Sequence, residues 1–540
     1  MTDIEIPLGR RRPLYRFFEI VPGAISATMI TAPFFLSFFS SLLASIFVLL
    51  YIISFFVRSL AISGRVIKGY RLLRQAEKID WASRLADCED IHDALTTRGH
   101  AMPLLHRRNL ERTMERPDNF KPSEVYNAVI IATYNESIDV LEPTVQSVID
   151  SEYDLSHMIL MIAYEERGGV QVEQTAKHLQ KRYGSRFKDF LIVKHPKDLP
   201  NEVPGKGANI TFAGFALQHY VEAHHIDPHR VIVTTLDSDN RPHPLYFSYL
   251  TYEYIVHPDP YHAAFQPMTL FLNNIWDVPA PMRVVATGNS FWNLVVSQRQ
   301  HLLRNFASHS QGLAPLIDMK FWSTRTIVED GHQFWRSYFH FDGEYQVVPL
   351  FIPIYQDAVL SDTLRKTLIA QFVQVRRWAY GASDVAYVAT RILRRDRTVP
   401  FGDSLVKLGI LLDGHISWAS SAIIVTFGAF GPLLINAESA RSVVAHQLPE
   451  IVSSIQRIAM MGLFASIFIS FKILPPRPAR YRRRRSLWLL LQWVLMPVIS
   501  IVYGSLAAIN SQARLLLGRY LERFDVTDKA VVNAEGKALL

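Results

Sequence analysis

Long apolar runs occupy both ends of the chain, and strand-length apolar runs alternate with helical patterns in its middle. Residues 21–56 carry no charged side chain, a run well beyond the ~20 residues that cross ~30 Å of hydrocarbon. Pro33 near its middle, with Ser37, Ser40 and Ser41 after it, predicts two tightly connected crossings at 17–37 and 40–60. The run far exceeds the roughly 7–15 apolar residues of a cleaved signal peptide. Further spans are predicted at 411–435, 451–473 and 486–509. Between these ends, strands are expected at 125–132, 158–163, 190–194, 230–236 and 262–266, with helices at 138–151, 171–183 and 206–224. Strands alternating with helices predict a mostly parallel α/β sheet covered on both faces, whose ligands bind beyond the carboxyl ends of its strands.

The charged residues orient this arrangement. Arg10, Arg11 and Arg12 precede the first apolar pair, and Arg58, Arg65, Lys68, Arg71 and Arg74 follow it. Positive flanks on both sides read as a hairpin with both ends in the cytoplasm. The arginine-rich loop 475–485 is read the same way, on the side of the central domain, and the loop 436–450 falls outside. Five spans would place the C-terminus outside. The basic residues Arg514, Arg519, Arg523 and Lys529 argue for the cytoplasm instead, as would a re-entrant pair at 486–509. The domain reading is a transmembrane hairpin at 1–63, a membrane-proximal linker at 64–120, an α/β domain at 121–355, interfacial helices at 356–410, transmembrane helices at 411–510 and a tail at 511–540.

Composition sharpens the picture. Of 540 residues, 49% are hydrophobic and 12% aromatic, which excludes disorder for the bulk of the chain. The net charge of +8 suggests an anionic membrane face or nucleic acid. No basic stripe with interleaved aromatics lies in the central domain, so nucleic acid is not expected as a partner. Cys88 is the single cysteine, which excludes an intramolecular disulfide and Cys-based metal clusters and fits a reducing compartment.

Candidate chemistry lies in five segments. Ala132-Thr133-Tyr134-Asn135-Glu136-Ser137 follows a strand and exposes small polar groups where a nucleotide would lie; an ordinary helix N-cap is the plainer alternative. Pro204-Gly205-Lys206-Gly207-Ala208-Asn209 could place a lysine on a phosphate, although it lacks the P-loop pattern. Leu236-Asp237-Ser238-Asp239-Asn240 offers two carboxylates to one hard cation, or a plain Asp/Asn-rich turn. Thr326-Ile327-Val328-Glu329-Asp330-Gly331-His332 offers a carboxylate base, with His332 as a rival. On a helix capped by Ser361-Asp362 and running to about Leu393, Gln374, Arg377 and Trp378 share one face. Arg there suits a diphosphate and Trp a sugar ring, whereas Arg376 also suits lipid headgroup depth.

The order of these motifs resembles the membrane-embedded family-2 glycosyltransferases, such as cellulose, hyaluronan and chitin synthases, over roughly 125–390. The resemblance implies a GT-A domain, Rossmann-like with a mostly parallel sheet, on the cytoplasmic face between transmembrane helices. It implies a nucleotide-diphosphate sugar donor, a UDP-sugar above all, with Mg²⁺ or Mn²⁺ and inversion at the anomeric carbon. By position, Thr133, Tyr134 and Glu136 would hold the nucleoside; Asp237 would face the nucleotide sugar and Asp239 bind the metal. Lys206 would lie at the donor. Asp330 would be the catalytic base with Glu329 beside it, and Gln374, Arg377 and Trp378 would line the diphosphate and the acceptor end. Two departures stand out: Val328 replaces the Thr of the Thr-Glu-Asp motif, and the Asp expected after the second strand is replaced by Glu165 or Glu166.

The leading expectation is transfer of sugar to a growing polysaccharide, with export, at a bacterial inner or plasma membrane. A non-processive enzyme acting on a lipid acceptor, or a non-enzymatic nucleotide sensor, would share part of the pattern. Ala286-Thr287-Gly288-Asn289-Ser290-Phe291-Trp292 reads equally as an acceptor-side segment or as the start of a helix.

Overall fold

The computed structural model describes all residues except 1–4, 118, 436–442, 483, 524–528, 533–537 and 540. The chain opens with two helices, Pro13–Phe39 and Ser41–Ala76, joined at a single extended residue, Ser40. The Ser40 hydroxyl accepts from the Leu43 N–H at 3.3 Å and caps the second helix. Pro33 lies inside the first helix, where a missing N–H is tolerated once neighbours satisfy the freed groups. The second helix continues well past its apolar part to Ala76, so the first residues of the predicted linker belong to it.

Among the described residues, four helical stretches are long and apolar enough to cross a membrane: Pro13–Phe39, Ser41–Ala76, Phe401–Ile435 and Leu487–Leu517. The predicted span 451–473 lies within the helix Val443–Ile473, whose side chains at 459–461, 463 and 465 are outside the described residues. Of the predicted loop 436–450, residues 436–442 lie outside the described residues and the rest is helical. The arginine loop lies against the α/β domain: Arg480 and the Tyr481 hydroxyl each donate to Asp277 Oδ1 at 2.6 Å.

The run from Arg484 to Leu517 is helical throughout, with a 3-10 turn at Gln492–Leu495 and a π-helical stretch at Ser500–Leu506. Arg485 donates to the Trp276 carbonyl at 2.6 Å, and Ser511 donates to the Arg376 carbonyl. Lys529, from the tail, reaches into the α/β domain. The predicted span 486–509 falls within Leu487–Leu517, which is long and apolar enough to cross.

The α/β domain carries a mixed, mostly parallel eight-stranded sheet. Its strands are β1 (Tyr126–Thr133), β2 (Met158–Glu165), β3 (Asp189–His195), β4 (Val231–Asp237), β5 (Arg241–Pro242), β6 (Ala263–Leu270), β7 (Ser310–Gly312) and β8 (Gln346–Tyr355). The order is β3-β2-β1-β4-β7-β6-β8-β5. β1 pairs in parallel with β2 and β4, and β7 is antiparallel to both neighbours. Val129, Ile131, Leu160 and Ile162 face one apolar core, and Ala128, Ile130, Ile159 and Met161 the other. Burial on both faces explains why these strands read as unbroken apolar runs.

The five expected strands are β1, β2, β3, β4 and β6. β8 escapes a sequence reading because Pro349 and Pro353 sit inside it. Its outer edge pairs with only the two residues of β5, and its pairing with β6 shifts register between Pro267 and Met268, so the prolines cost few ladder bonds. Segment 286–292 lies inside the helix Ala280–Val296.

Candidate active site

The parallel register brings the ends of β1, β2 and β4 to one edge of the sheet, with Thr133 opposite Tyr164 and Ala132 opposite Asp237. The helix Lys206–Ala223 begins against this edge. Asn209 fastens it, donating to the carbonyls of Ala163 at 2.8 Å and Thr133 at 3.4 Å. A second helix, Glu329–His340, meets its first turn. The two come so close that a Cβ on Gly207 would lie 2.5 Å from the Ser323 carbonyl and 3.0 Å from Glu329 Cβ. Only glycine fits there, and it lets Lys206 reach under the Glu329 helix.

Lys206 is the hub. Its ammonium lies 2.9 Å from Asp237 Oδ1, 3.0 Å from Asp330 Oδ2 and 3.9 Å from Glu329 Oε1. Burial alone would lower its pKa, but the three carboxylates outweigh that and raise it above the ordinary lysine value. Burial would raise Asp237, yet Lys206 and then Lys529 hold it below the usual carboxylate range. Glu329 behaves oppositely. Burial, then the charge of Asp330, push it up to about 8 against the pull of Lys206, which favours the protonated acid near neutral pH.

The consequence for stability has a fixed sign. Unfolded Glu329 ionises near the ordinary glutamate value of 4.5 and folded Glu329 near 8, so this group's contribution is full below the first value and lost as pH rises through the second. Thermal unfolding of the detergent-solubilised protein should therefore show Tm falling more steeply between about pH 5 and 8 in wild type than in Glu329→Gln. Equal slopes would contradict the neutral acid.

On the other side of Asp237 lies a second charged group. Lys529, from the tail, donates to Asp239 Oδ1 at 2.9 Å and Ser238 Oγ at 2.8 Å, and stands 3.8 Å from Glu136 Oε1. Backbone pairing seats it: the Ala530 N–H donates to the Leu360 carbonyl at 2.9 Å. Asp357, just beyond β8, donates its N–H to Asp239 Oδ2 at 3.2 Å. Burial, then the charge of Asp239, raise the Asp357 carboxyl to about 7, and its Oδ1 is buried without a hydrogen-bond partner.

Glu136 is turned inward on its own loop, accepting from the Thr133 hydroxyl at 2.7 Å and the Tyr134 N–H at 2.8 Å. Burial would raise it, but Lys529 and these two donors hold it low. Glu165 pairs with Arg167, whose guanidinium sits 5.3 Å from the Tyr134 ring centroid. Glu166 is not brought into the cluster: Lys194 at 2.9 Å and the Lys197 N–H at 3.1 Å take its carboxylate at the edge of the sheet.

The expected long helix is two helices, Leu364–Ala379 and Asp384–Ile392, separated by a 3-10 turn at Tyr380–Ser383 that contains Gly381. Its cap is Thr363 rather than Ser361 or Asp362. Gln374 accepts from Gln371 at 3.1 Å, and Trp378 stands 6.1 Å from Phe271 at a tilt. The positive field of Arg377 reaches both Asp237 and Glu329, which joins this helix to the carboxylate cluster. His332 turns away from the cluster. Its Nδ1 is 2.7 Å from Asp384 Oδ1 and its ring packs edge-on against Tyr387, so it braces two helices.

Two site residues escaped the sequence reading. Asp357 follows the unpredicted strand β8, and Lys529 comes from a tail nearly 290 residues away from Asp239. Neither has a local motif to reveal it.

The sequence matches no family model and no curated protein. Solved structures with related folds include mannosyltransferase PcManGT from Pyrobaculum calidifontis in complex with GDP-Man and Mn²⁺ (14% identity, TM-score 0.43, covering 80% of this chain and 100% of that one). S. aureus TarS 1-349 in complex with UDP-GlcNAc follows at 11% identity and TM-score 0.35, covering 77% of this chain and 96% of that one. Glucosyl-3-phosphoglycerate synthase from Mycobacterium tuberculosis, in complex with Mn²⁺, uridine-diphosphate and phosphoglyceric acid, has 13% identity and TM-score 0.27, covering 47% of this chain and 78% of that one. None of the three reaches a TM-score of 0.5, so no activity passes from them to this chain.

Proposed function

We propose that the chain is an inverting glycosyltransferase of the membrane-embedded family-2 type, its GT-A domain on the cytoplasmic face of a bacterial inner or plasma membrane. It would move a sugar from a nucleotide-diphosphate sugar, with a UDP-sugar as the expected donor, to a growing saccharide. The observation that carries this reading is Lys206, which bridges Asp237 at the end of β4 to Asp330 at the start of a helix. That bridge sets a base for an acceptor hydroxyl and a cation for a leaving diphosphate within one side chain's reach. Sugar transfer needs both.

Asp330 takes the proton of the attacking hydroxyl. Its pairing with Lys206 is the resting arrangement, and a diphosphate arriving at Asp237 would draw the ammonium off the base. Glu329, held neutral, adds no second negative charge at the point of attack. Arg377 approaches from the Leu364–Ala379 helix on the diphosphate side, and Trp378 offers a flat apolar face to a sugar ring.

The residues beyond Asp237 suit a divalent cation. Asp239 already attracts a cationic group, and Asp357 holds an unpartnered buried oxygen beside it. Among the described residues no group of three or more His, Cys, Asp or Glu is gathered for a metal, which fits Mg²⁺ or Mn²⁺ held by one or two carboxylates plus substrate phosphates. Such an ion would neutralise the charge that builds on the leaving diphosphate.

Lys529 and the ion would then compete for Asp239. Without nucleotide, Lys529→Met should bind Mn²⁺ about tenfold more tightly than wild type, a difference of about 1.4 kcal/mol. Titration of free Mn²⁺ by electron paramagnetic resonance measures this, and unchanged or weaker binding would oppose the competition.

Diphosphate release from a panel of nucleotide sugars tests the whole reading. One nucleotide sugar should turn over, with radiolabel passing into long saccharide. A single-sugar lipid product would instead favour the non-processive enzyme, and binding without turnover across the panel would favour a sensor.

A further inference from the structure

His309 lies just before β7 and is fully buried. Its Nδ1 is 2.9 Å from the Phe306 carbonyl, and 3.7 Å from Asp330 Oδ1. Its Nε2 receives the indole N–H of Trp322 at 3.0 Å. An indole nitrogen can only donate. The His309 Nε2 must therefore be the bare nitrogen, and Nδ1 carries the hydrogen that faces Phe306 and Asp330. A second proton at Nε2 would point at the Trp322 N–H across 3.0 Å, inside a fully buried site.

We propose that His309 is a positioning residue for Asp330, kept neutral by the indole of Trp322 so that it steers the carboxylate without weakening it as a base. The proposal rests on Asp330 being the base. At 3.7 Å the contact is electrostatic rather than a hydrogen bond. Asp330 Oδ1 stands between the His309 N–H and Lys206 Nζ, the latter at 3.2 Å. When Lys206 turns to a diphosphate, the His309 N–H is the group left to fix the carboxylate's direction. A neutral N–H does this cheaply. An imidazolium would hold Asp330 as a spectator ion and draw its basicity down. The charged groups that face the ring are Asp330 and Lys206, with Glu329 next to Asp330 in its own helix.

Four measurements test this: kcat, KM for the nucleotide sugar, nucleotide affinity by calorimetry, and the pH profile of kcat. His309→Leu should lower kcat by about threefold or more, because the carboxylate loses the neighbouring imidazole dipole in a buried, low-dielectric site, with KM and nucleotide affinity within twofold. His309→Asn, whose amide N–H stands near the position of Nδ1, should recover most of that loss. Trp322→Phe frees Nε2 for a proton and should add an acidic limb to the kcat profile, below the ordinary imidazole range because burial still opposes the charge. That limb should be absent in wild type and vanish in the double variant with His309→Asn. Wild-type kcat in His309→Leu overturns the proposal, as does an acidic limb in wild type that His309→Asn removes. The base assignment fails separately: if Asp330→Asn still transfers sugar, Asp330 is not the base, whatever His309 does.

Discussion

Asp330→Asn is expected to keep nucleotide-sugar affinity within a few-fold of wild type and to lower transfer by about 10²–10⁴-fold, the usual weight of a positioned base. Asparagine keeps the size and the hydrogen bonds of the side chain but cannot take a proton. Binding should survive because the diphosphate side of the site, with Asp237, Asp239 and Arg377, is untouched. The Lys206 ammonium also keeps Asp237 at 2.9 Å when the Asp330 charge is gone. Calorimetry with a non-hydrolysable donor, beside a radiolabel transfer assay, separates the two effects. Retained transfer would exclude Asp330 as base; lost binding would make it a structural carboxylate.

The second large effect is expected at Lys206. Lys206→Met removes the one ammonium that serves Asp237, Asp330 and Glu329 at the buried end of the site. Breaking a buried pair by deleting one partner typically costs about 3–5 kcal/mol, because a charge is left without compensation. Here two ionised carboxylates lose their partner at once. Part of the cost will be relieved by proton uptake, since Asp237 is held low chiefly by Lys206 acting against burial. The loss of stability should accordingly be larger at about pH 8 than at about pH 5. The double variant with Asp237→Asn should recover several degrees of Tm without restoring transfer. Lys206→Met with wild-type Tm at pH 8 would show that the cluster is not charged as described.

Much of this site was legible in the chain. Thr133, Lys206 and Asp237 each sit at the end of a strand or the start of a helix that an apolar pattern of the right length announces. Such places are where a parallel sheet exposes functional groups. The Asp330 segment, by contrast, was marked only by its adjacent carboxylates and Gly331. Other parts were legible only in kind. Glu165 and Glu166 are adjacent in sequence, but Glu165 ends β2 whereas Glu166 opens the 3-10 turn that follows it. Glu165 turns inward to Arg167 while Glu166 lies outward beside Lys194. His332 looked like a rival base because it follows Asp330 by two positions. Two steps along a helix turn a side chain to nearly the opposite side, and it meets Asp384 instead.

Local pattern alone determined the apolar hairpin at the start, the alternating α/β domain and the motif positions on it. These follow from periodicity and from turn chemistry, which act over a few residues. Tertiary structure alone decided which charges neutralise which. Lys529 reaches Asp239 through a backbone pairing with Leu360, Asp357 arrives on a proline-broken strand, and His309 meets Asp330 through the fold of the sheet. The reason is one of range. Hydrophobic patterning records how each segment buries its own surface, whereas ion pairs at a buried site depend on segments hundreds of residues apart arriving within a few ångströms.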